Sequence, residues 1–167
     1  MAPSSNPPKP IIELLEQHQA LIYKVVNAYC TDRHEQEDLI QEILFLLLKS
    51  YDRFDHQVKV TTWMYRIALN VSISHYRNIQ KRQRYNLPMP EKLVEVVDAP
   101  AKDMQEEVQR LHTFIQTLKP LNRALMILYL DGNSHAEMAA ALGISVSNVG
   151  TRINRIKKQL QQKLKNA

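Results

Sequence analysis

The sequence predicts an all-α protein of two small helical domains joined by a flexible linker, and three observations carry that expectation. The 167 residues include only three glycines, while the long runs are rich in Leu, Ile, Ala, Lys, Gln and Glu, residues that lose little on entering a helix. Where the pattern is most regular, Val149, Ile153, Ile156 and Leu160 recur at offsets of four, seven and eleven, one stripe of a helix. Ser, Asp or Thr stands where helices should start, and Gly or Pro where they should stop. Hydrophobic residues make up 44% of the chain, enough for real cores.

Each element follows from local signals. MAPSSNPPKP reads as a disordered, proline-rich tail over residues 1–10; it lacks the charged start and apolar core of a secretory signal. Ile11 to about Cys30 reads as one helix, with Leu14, Leu15, Leu21, Ile22, Val25 and Val26 on its apolar side. Thr31-Asp32-Arg33 breaks it, and Asp32 with Glu35 offers a capping box for a helix from about Arg33 to Ser50. A polar and aromatic connection, YDRFDHQVKV, leads to Thr61 or Thr62 as the cap of a third helix, TTWMYRIALNVSISHYR, running to about Arg84. Pro88, Pro90 and Pro100, amid mixed charge, mark the linker, assigned to 85–107. Helices resume near Asp103 and run to about Leu118. Pro120 starts another, through Leu130, and Asp131-Gly132-Asn133 makes a turn.

The last part of the chain is the most informative. In SHAEMAAALGISVSNVGTRINRIKKQL, Ser134 and Glu137 have capping-box spacing, Gly143 stands where a left-handed C-cap is wanted, and Ser145 caps the next helix. Two short helices around a tight turn, the second one basic, are the plan of a helix-turn-helix DNA reader. Ser147, Asn148, Thr151, Arg152, Arg155 and Lys158 lie off the apolar stripe. Charge agrees. Residues 111–167 hold eight Lys/Arg against two Asp/Glu, whereas residues 1–80 hold eight against nine and residues 81–110 six against six. The chain's net +5 therefore resides on this segment, the electrostatic footprint of phosphate contact. A solvated amphipathic helix in a bundle is the plainer alternative.

The first half carries a different chemistry. In EQEDLIQEILFLLL, Leu39, Ile43, Leu46 and Leu47 form an apolar side, while Asp38, Gln41, Glu42 and Phe45 fall along another. Asp38 and Glu42 are one turn apart, so their carboxylates face one way; an acidic first turn is also simply favourable at a helix N-terminus. In the third helix Met64, Ile67, Ala68 and Val71 make a core face, and Trp63, Arg66, Asn70, Ser74 and Arg77 a second stripe. Five of the eleven aromatic residues (Tyr51, Phe54, Trp63, Tyr65, Tyr76) lie between positions 51 and 76. Guanidinium, amide and stacking rings are what proteins use to hold unpaired bases, although Trp63 and Tyr65 read equally well as core fillers.

Enzyme chemistry finds no support. His34-Glu35 is not followed by the second histidine of a zinc-protease helix, and there is no glycine-rich phosphate loop, cysteine cluster or nucleophile elbow. No cofactor or metal is expected: the six histidines are scattered, and His75 falls near the core face of its helix, where it reads as packed rather than metal-bound. Cys30 is the only cysteine, which excludes an internal disulfide and fits a reducing cytoplasm. The apolar run Ile43 to Leu48 is too short to span a membrane, and no run in the chain reaches that length.

EDLIQE (Glu37–Glu42), FDHQVKVTTWMYRIALN (Phe54–Asn70) and LKPLNRALMILYLDGNSHAEMAAALGISVSNVGTRINRIKKQL (Leu118–Leu160) together resemble the extracytoplasmic-function (ECF) sigma factors, small bacterial sigma factors with only the second and fourth conserved domains. The resemblance covers roughly 11–80 and 108–165, and the pairing of the acidic motif with the aromatic-Asn motif is its specific part. It implies a sigma domain 2 over 11–84 and a sigma domain 4 over 108–167. It implies that Asp38, Leu39, Gln41 and Glu42 dock on core RNA polymerase. It implies that Asp55, His56, Lys59, Trp63, Arg66, Asn70 and Arg77 serve the melted, single-stranded minus-ten element, where capturing a flipped base offsets an unstacking cost of about a few kcal/mol. It implies that Ser147, Asn148, Thr151, Arg152, Asn154, Arg155 and Lys158 serve the minus-thirty-five element as duplex, in the major groove. The chain departs from the family at Gly150, where Lys or Arg is common, and at Asn154, where an aromatic residue or His is common. An anti-sigma factor joins core polymerase and promoter DNA among the expected partners, with no membrane insertion. The competing reading is a stand-alone helix-turn-helix regulator that binds duplex operator without polymerase; it has no need of the acidic docking helix.

Overall fold

The computed structural model describes residues 9–85 and 106–166, and among them it is built from eight α-helices and one short 3₁₀ turn, with no strand. The helices are α1 (Lys9–Gln17), α2 (Gln19–Tyr29), α3 (Arg33–Ser50), α4 (Val60–Arg84), α5 (Glu106–Thr117), α6 (Pro120–Leu130), α7 (His135–Leu142) and α8 (Val146–Lys165); the 3₁₀ turn, Tyr51–Arg53, follows α3. The tail before Lys9 and the proline-rich part of the linker, with the helix start expected near Asp103, lie outside the described residues.

The expected helix over Ile11 to Cys30 is two. His18 leaves helical geometry (φ −113°, ψ 17°) and alone links α1 to α2, with the Leu21 amide turning back to the His18 carbonyl. Both pieces still point inward: Ile11 on α1 and Leu21, Ile22, Val25 and Val26 on α2 are buried. Two boundaries also shift. The helix begins at Lys9, inside the expected tail, with Pro10 in the first turn, where a missing amide costs nothing. Glu106 and Glu107, assigned to the linker, open α5, where carboxylates suit the positive helix end.

The caps behave as the local sequence demands. Asp32 accepts a hydrogen bond from the Glu35 amide at 3.0 Å and starts α3, one half of the expected capping box. Ser134 and Glu137 close a full capping box at the start of α7, Gly143 ends it in the left-handed region (φ 67°), and Ser145 accepts from the Asn148 amide to start α8. Each cap contributes about 1 kcal/mol. The third-helix cap is a correction. α4 starts at Val60 after Lys59, which makes no side-chain cap bond, so Thr61 and Thr62 sit in the first turn and Thr62 is buried.

α1 to α4 form the first unit, with α4 packed on both α2 and α3. Ile22, Val25, Val26, Leu39, Ile43, Leu47, Met64, Ala68 and Leu69 fill its centre. α5 to α8 form the second, where Leu125, Leu128, Met138, Val149, Ile153 and Ile156 are buried. The units do not stand apart: α7 and α6 pack along α4, and α6 also meets α2, so the two apolar centres are continuous.

That seam is polar as well as apolar. Arg123 of α6 is the key, at 3% exposure. Its guanidinium lies over the rings of Tyr29 (5.3 Å) and Tyr76 (4.9 Å) and donates to the carbonyls of Ala28 (2.8 Å), Gln116 (2.8 Å) and Leu118 (3.1 Å). The Tyr29 hydroxyl donates to the Pro120 carbonyl at 2.7 Å. Asp131 accepts from Lys24 at 2.7 Å and, by a very short bond, from Tyr65. Burial pushes both tyrosine hydroxyls well above their ordinary range, so they act as donors throughout the physiological pH span. For Asp131, burial alone would raise the carboxyl; the hydrogen bonds from Lys24 and Tyr65, with the Lys24 charge, outweigh it and hold the group below its usual value.

Candidate nucleic-acid interface

The helix-turn-helix presents one face of α8 to solvent. Val149, Ile153 and Ile156 go inward, as their spacing requires, which turns Ser147, Thr151, Asn154, Arg155 and Lys158 outward; all five are exposed. Thr151 spends its hydroxyl on the Ser147 carbonyl one turn back (3.0 Å). Asn148 and Arg152 are half-buried: the Arg152 guanidinium donates to the Asn148 side chain (2.9 Å) and to Asn122 of α6 (3.1 Å). Of the two arginines, Arg155 is thus the free one, and Arg152 is held in place across the joint between α6 and α8. Gly150 faces α7; a Cβ placed there would meet the His135 ring at 3.7 Å, ordinary contact.

The second candidate surface is the segment from Phe54 to Lys59 with the first three turns of α4. Asp55 accepts from the Gln57 amide (3.2 Å), and His56 takes φ 59°, a left-handed conformation rare for a residue with a Cβ though less so for His. The loop is pinned on an aromatic base: Phe54 stacks on Trp63 with centroids 4.9 Å apart and planes 26° apart, and Tyr51 approaches Trp63 from 6.2 Å. Trp63 is only 7% exposed, so it supports the loop rather than offering a face to a base. Tyr65 is buried too, and with Leu69 it makes the core face of α4 wider than the Met64–Val71 stripe read from periodicity, on which Ile67 and Val71 are half-buried. Asp55, His56, Asn70 and Arg77 are exposed.

Two of the basic candidates are engaged at the seam. Arg66 points at α7, with Nε and Nη2 donating to the Ala140 carbonyl (3.1 and 2.7 Å). Lys59 pairs with Glu137 at 2.5 Å, and that bond, with the Ser134 amide, keeps the Glu137 carboxyl below its ordinary range. The helix-turn-helix thus sits against part of this second candidate surface.

The acidic face of α3 is open. Asp38, Gln41 and Glu42 are exposed, with Phe45 (61% exposed) and Leu48 (43%) beside them. Leu39, grouped with them from the motif, is instead a core residue at 1% exposure, because position 39 shares the inward stripe with Ile43 and Leu47. Phe45 takes its place as the exposed apolar element; it was already on the acidic side by spacing. Glu42 and Asn70 line one polar groove between α3 and α4, with Ser74, His75 and Asn78.

Sequence reasoning missed the seam residues. Arg123 and Tyr29 are 94 positions apart and share no motif, and an arginine at the second turn of an apolar helix gives only one hint, that nothing around it explains a charge. No described helix is long and apolar enough to cross a membrane.

Residues 14–83 match the family model for Sigma-70 region 2, and residues 108–160 that for Sigma-70, region 4. Among characterised relatives, the ECF RNA polymerase sigma factor SigX of Bacillus subtilis is 30% identical over an alignment covering 87% of this chain and 78% of its own. SigW of Bacillus subtilis is 25% identical (92% and 88% covered). SigE of Mycolicibacterium smegmatis is 26% identical; the match takes in 91% of this chain but 60% of that longer protein. The fold is similar to that of the sigma factor RpoE of Bartonella quintana, solved with the anti-sigma factor NepR (TM-score 0.74, 21% identity, 94% of this chain and 98% of that one), and to CnrH solved with the cytosolic domain of CnrY (TM-score 0.69, 22% identity, 98% and 92%). Two matched sigma regions in the right order, and a relative at 30% identity along most of its length, lead to one conclusion: the chain belongs to the family of ECF RNA polymerase sigma factors.

Proposed function

We propose that the chain is a dissociable promoter-specificity subunit that docks on core RNA polymerase through Asp38, Gln41 and Glu42 with Phe45, reads the minus-thirty-five element as duplex through α8, and reads the minus-ten element as a melted strand through Asp55, His56, Lys59, Arg66, Asn70 and Arg77. It is an initiation factor of the cytoplasm rather than a catalyst. The observation that carries the reading is the groove shared by Glu42 and Asn70. It sets a docking carboxylate and a base-reading amide side by side, so that binding polymerase and holding an unpaired base become one surface. An operator-binding regulator has no use for that adjacency. The solvent-facing Ser147, Thr151, Asn154, Arg155 and Lys158 supply the duplex-reading half.

The seam supports a further element of this reading. With Arg66 bonded to the Ala140 carbonyl and Lys59 paired with Glu137, the two units must part before the minus-ten surface is complete. An anti-sigma factor, the kind of partner named for the RpoE structure, fits as a protein that stabilises the closed arrangement.

Run-off transcription with core bacterial RNA polymerase and a library of promoter templates tests the proposal. Wild type should start transcription from a subset of templates. The double variant Asp38→Ala, Glu42→Ala should lose that activity while keeping its circular dichroism and melting temperature, since both side chains are exposed. No initiation by wild type, together with tight duplex binding in the absence of polymerase, would establish the stand-alone regulator instead.

A further inference from the structure

Apart from the DNA-reading and docking surfaces, the first unit gathers three metal-ligating side chains from three helices. The Cys30 thiol at the end of α2, the Glu35 carboxylate in the first turn of α3 and the His75 ring in the middle of α4 have donor atoms that all lie within 4.8 Å of one another. Cys30 Sγ is 3.9 Å and His75 Nε2 3.7 Å from the same carboxylate oxygen, Glu35 Oε2. The Sγ also donates weakly to the Asp32 carbonyl at 3.6 Å. Burial differs along the set: Cys30 is buried, while the Glu35 and His75 side chains are 40% and 27% exposed. His75 Nε2 itself is buried and lacks a hydrogen-bond partner, since 3.7 Å to the carboxylate is too long for one. A buried orphan nitrogen is costly, by about 1–3 kcal/mol, and its presence calls for an explanation.

We infer that Cys30, Glu35 and His75 form a binding site for a borderline divalent transition cation of the Zn²⁺ or Co²⁺ class. Thiolate, imidazole and carboxylate are the donor types such ions take, and three protein ligands leave a fourth position for water. Metal–ligand distances of about 2.0–2.3 Å at tetrahedral angles put donor atoms roughly 3.3–3.6 Å apart, so the two contacts to Glu35 Oε2 need to close by about 0.5 Å and the widest separation by up to about 1.5 Å. On binding, the thiol loses its proton to solvent, the sulfur gives up its weak bond to Asp32, and Nε2 gains the partner it lacks. The site borders solvent at Glu35, 40% exposed, and His75 is also a wall of the groove between α3 and α4. An ion here ties the end of α2 and the start of α3 to α4, and so stiffens the support of the acidic face without touching Asp38 or Glu42. The inference does not depend on the sigma reading; it needs only the fold of the first unit.

Titration of the reduced, metal-free full-length protein with Co²⁺ tests it. One equivalent should give visible d–d bands of tetrahedral intensity together with a near-ultraviolet thiolate-to-cobalt charge-transfer band. Cys30→Ser should abolish the charge-transfer band, and His75→Gln should weaken Zn²⁺ binding, measured by competition with a chelating dye, by at least about tenfold, the loss seen even for supporting partners of metal sites. Zn²⁺ should raise the melting temperature of wild type and not of either variant, a readout that needs no activity. Absence of the charge-transfer band in wild type, or a stoichiometric Co²⁺ site that persists unchanged in both variants, would overturn the assignment.

Discussion

The two units handle their candidate DNA-contacting residues in opposite ways. In the second, the candidate readers on α8 are open: Ser147, Thr151, Asn154, Arg155 and Lys158 all face solvent, Thr151 bonding only the Ser147 carbonyl of its own helix, while Asn148 and Arg152 are tied down. In the first, the candidates divide. Asp55, His56, Asn70 and Arg77 are exposed, whereas Trp63 is packed under the loop, Arg66 is bonded to α7 and Lys59 is paired with Glu137. A helix that enters a duplex groove needs only a rigid, open stripe. A surface for unpaired bases needs aromatic footing and cations aimed inward, and those same cations are what α7 occupies when the units close. The difference teaches that the packing of the two units engages part of the candidate surface on the first while leaving the candidate face of α8 open.

The largest expected effect comes from removing the key of that arrangement. Arg123→Met keeps much of the aliphatic stem but strands three carbonyls and two tyrosine faces. It should lower the stability of the folded protein by about 2–4 kcal/mol, read as a shift in the urea-unfolding midpoint. An unchanged midpoint would mean that the seam contributes nothing to the fold. Next in size, Arg155→Ala should cost roughly 1–3 kcal/mol in minus-thirty-five duplex binding and relax preference at a single promoter position. A uniform loss across sequences would make Arg155 a phosphate clamp.

Acid should open the seam with no mutation at all. Asp131 and Glu137 both have carboxyls held below their ordinary values of 3.8 and 4.5 by Lys24 and Tyr65 and by Lys59 respectively. A carboxyl lowered on folding contributes stability that is fully present above its unfolded value and lost as pH falls through its folded one. The units should therefore stay closed at neutral pH and through mild acid, and begin to separate only below the ordinary carboxylate range. Small-angle scattering would record this as a rise in radius of gyration. Separation already near pH 6 would show that these carboxylates are not what loosens.

The smallest effect concerns Gly150, inside α8. Its φ is ordinary and a Cβ meets His135 only at van der Waals distance, so Gly150→Ala should stabilise by up to about 1 kcal/mol, seen as a higher melting temperature. A fall would show that the α7–α8 joint has no room for the methyl group.

What the sequence determined by itself is what depends on neighbours along the chain. The Asp32 cap and the Ser134–Glu137 box join residues three positions apart, Gly143 needs only its own left-handed φ, and the α8 stripe follows from the helical period. Spacing also placed Asp38 and Glu42 on α3 and Asn70 on α4. Periodicity likewise put Leu39 on the apolar side of its helix, where it is buried, although the resemblance grouped it with the exposed Asp38, Gln41 and Glu42. It could not settle whether Trp63 packs or stacks on a base, a matter decided by Phe54 and Tyr51 around it. Only the tertiary structure decided how the units meet and which side chains converge across long separations. Arg123 reaches Ala28 across 95 positions, Tyr65 reaches Asp131 across 66, and His75 comes to Glu35 and Cys30 from a helix 40 residues away. Caps and periods are set by bonds within one turn, whose geometry the backbone fixes. Buried charges and ligand clusters are set by how whole helices pack, and no local pattern encodes the distance between them.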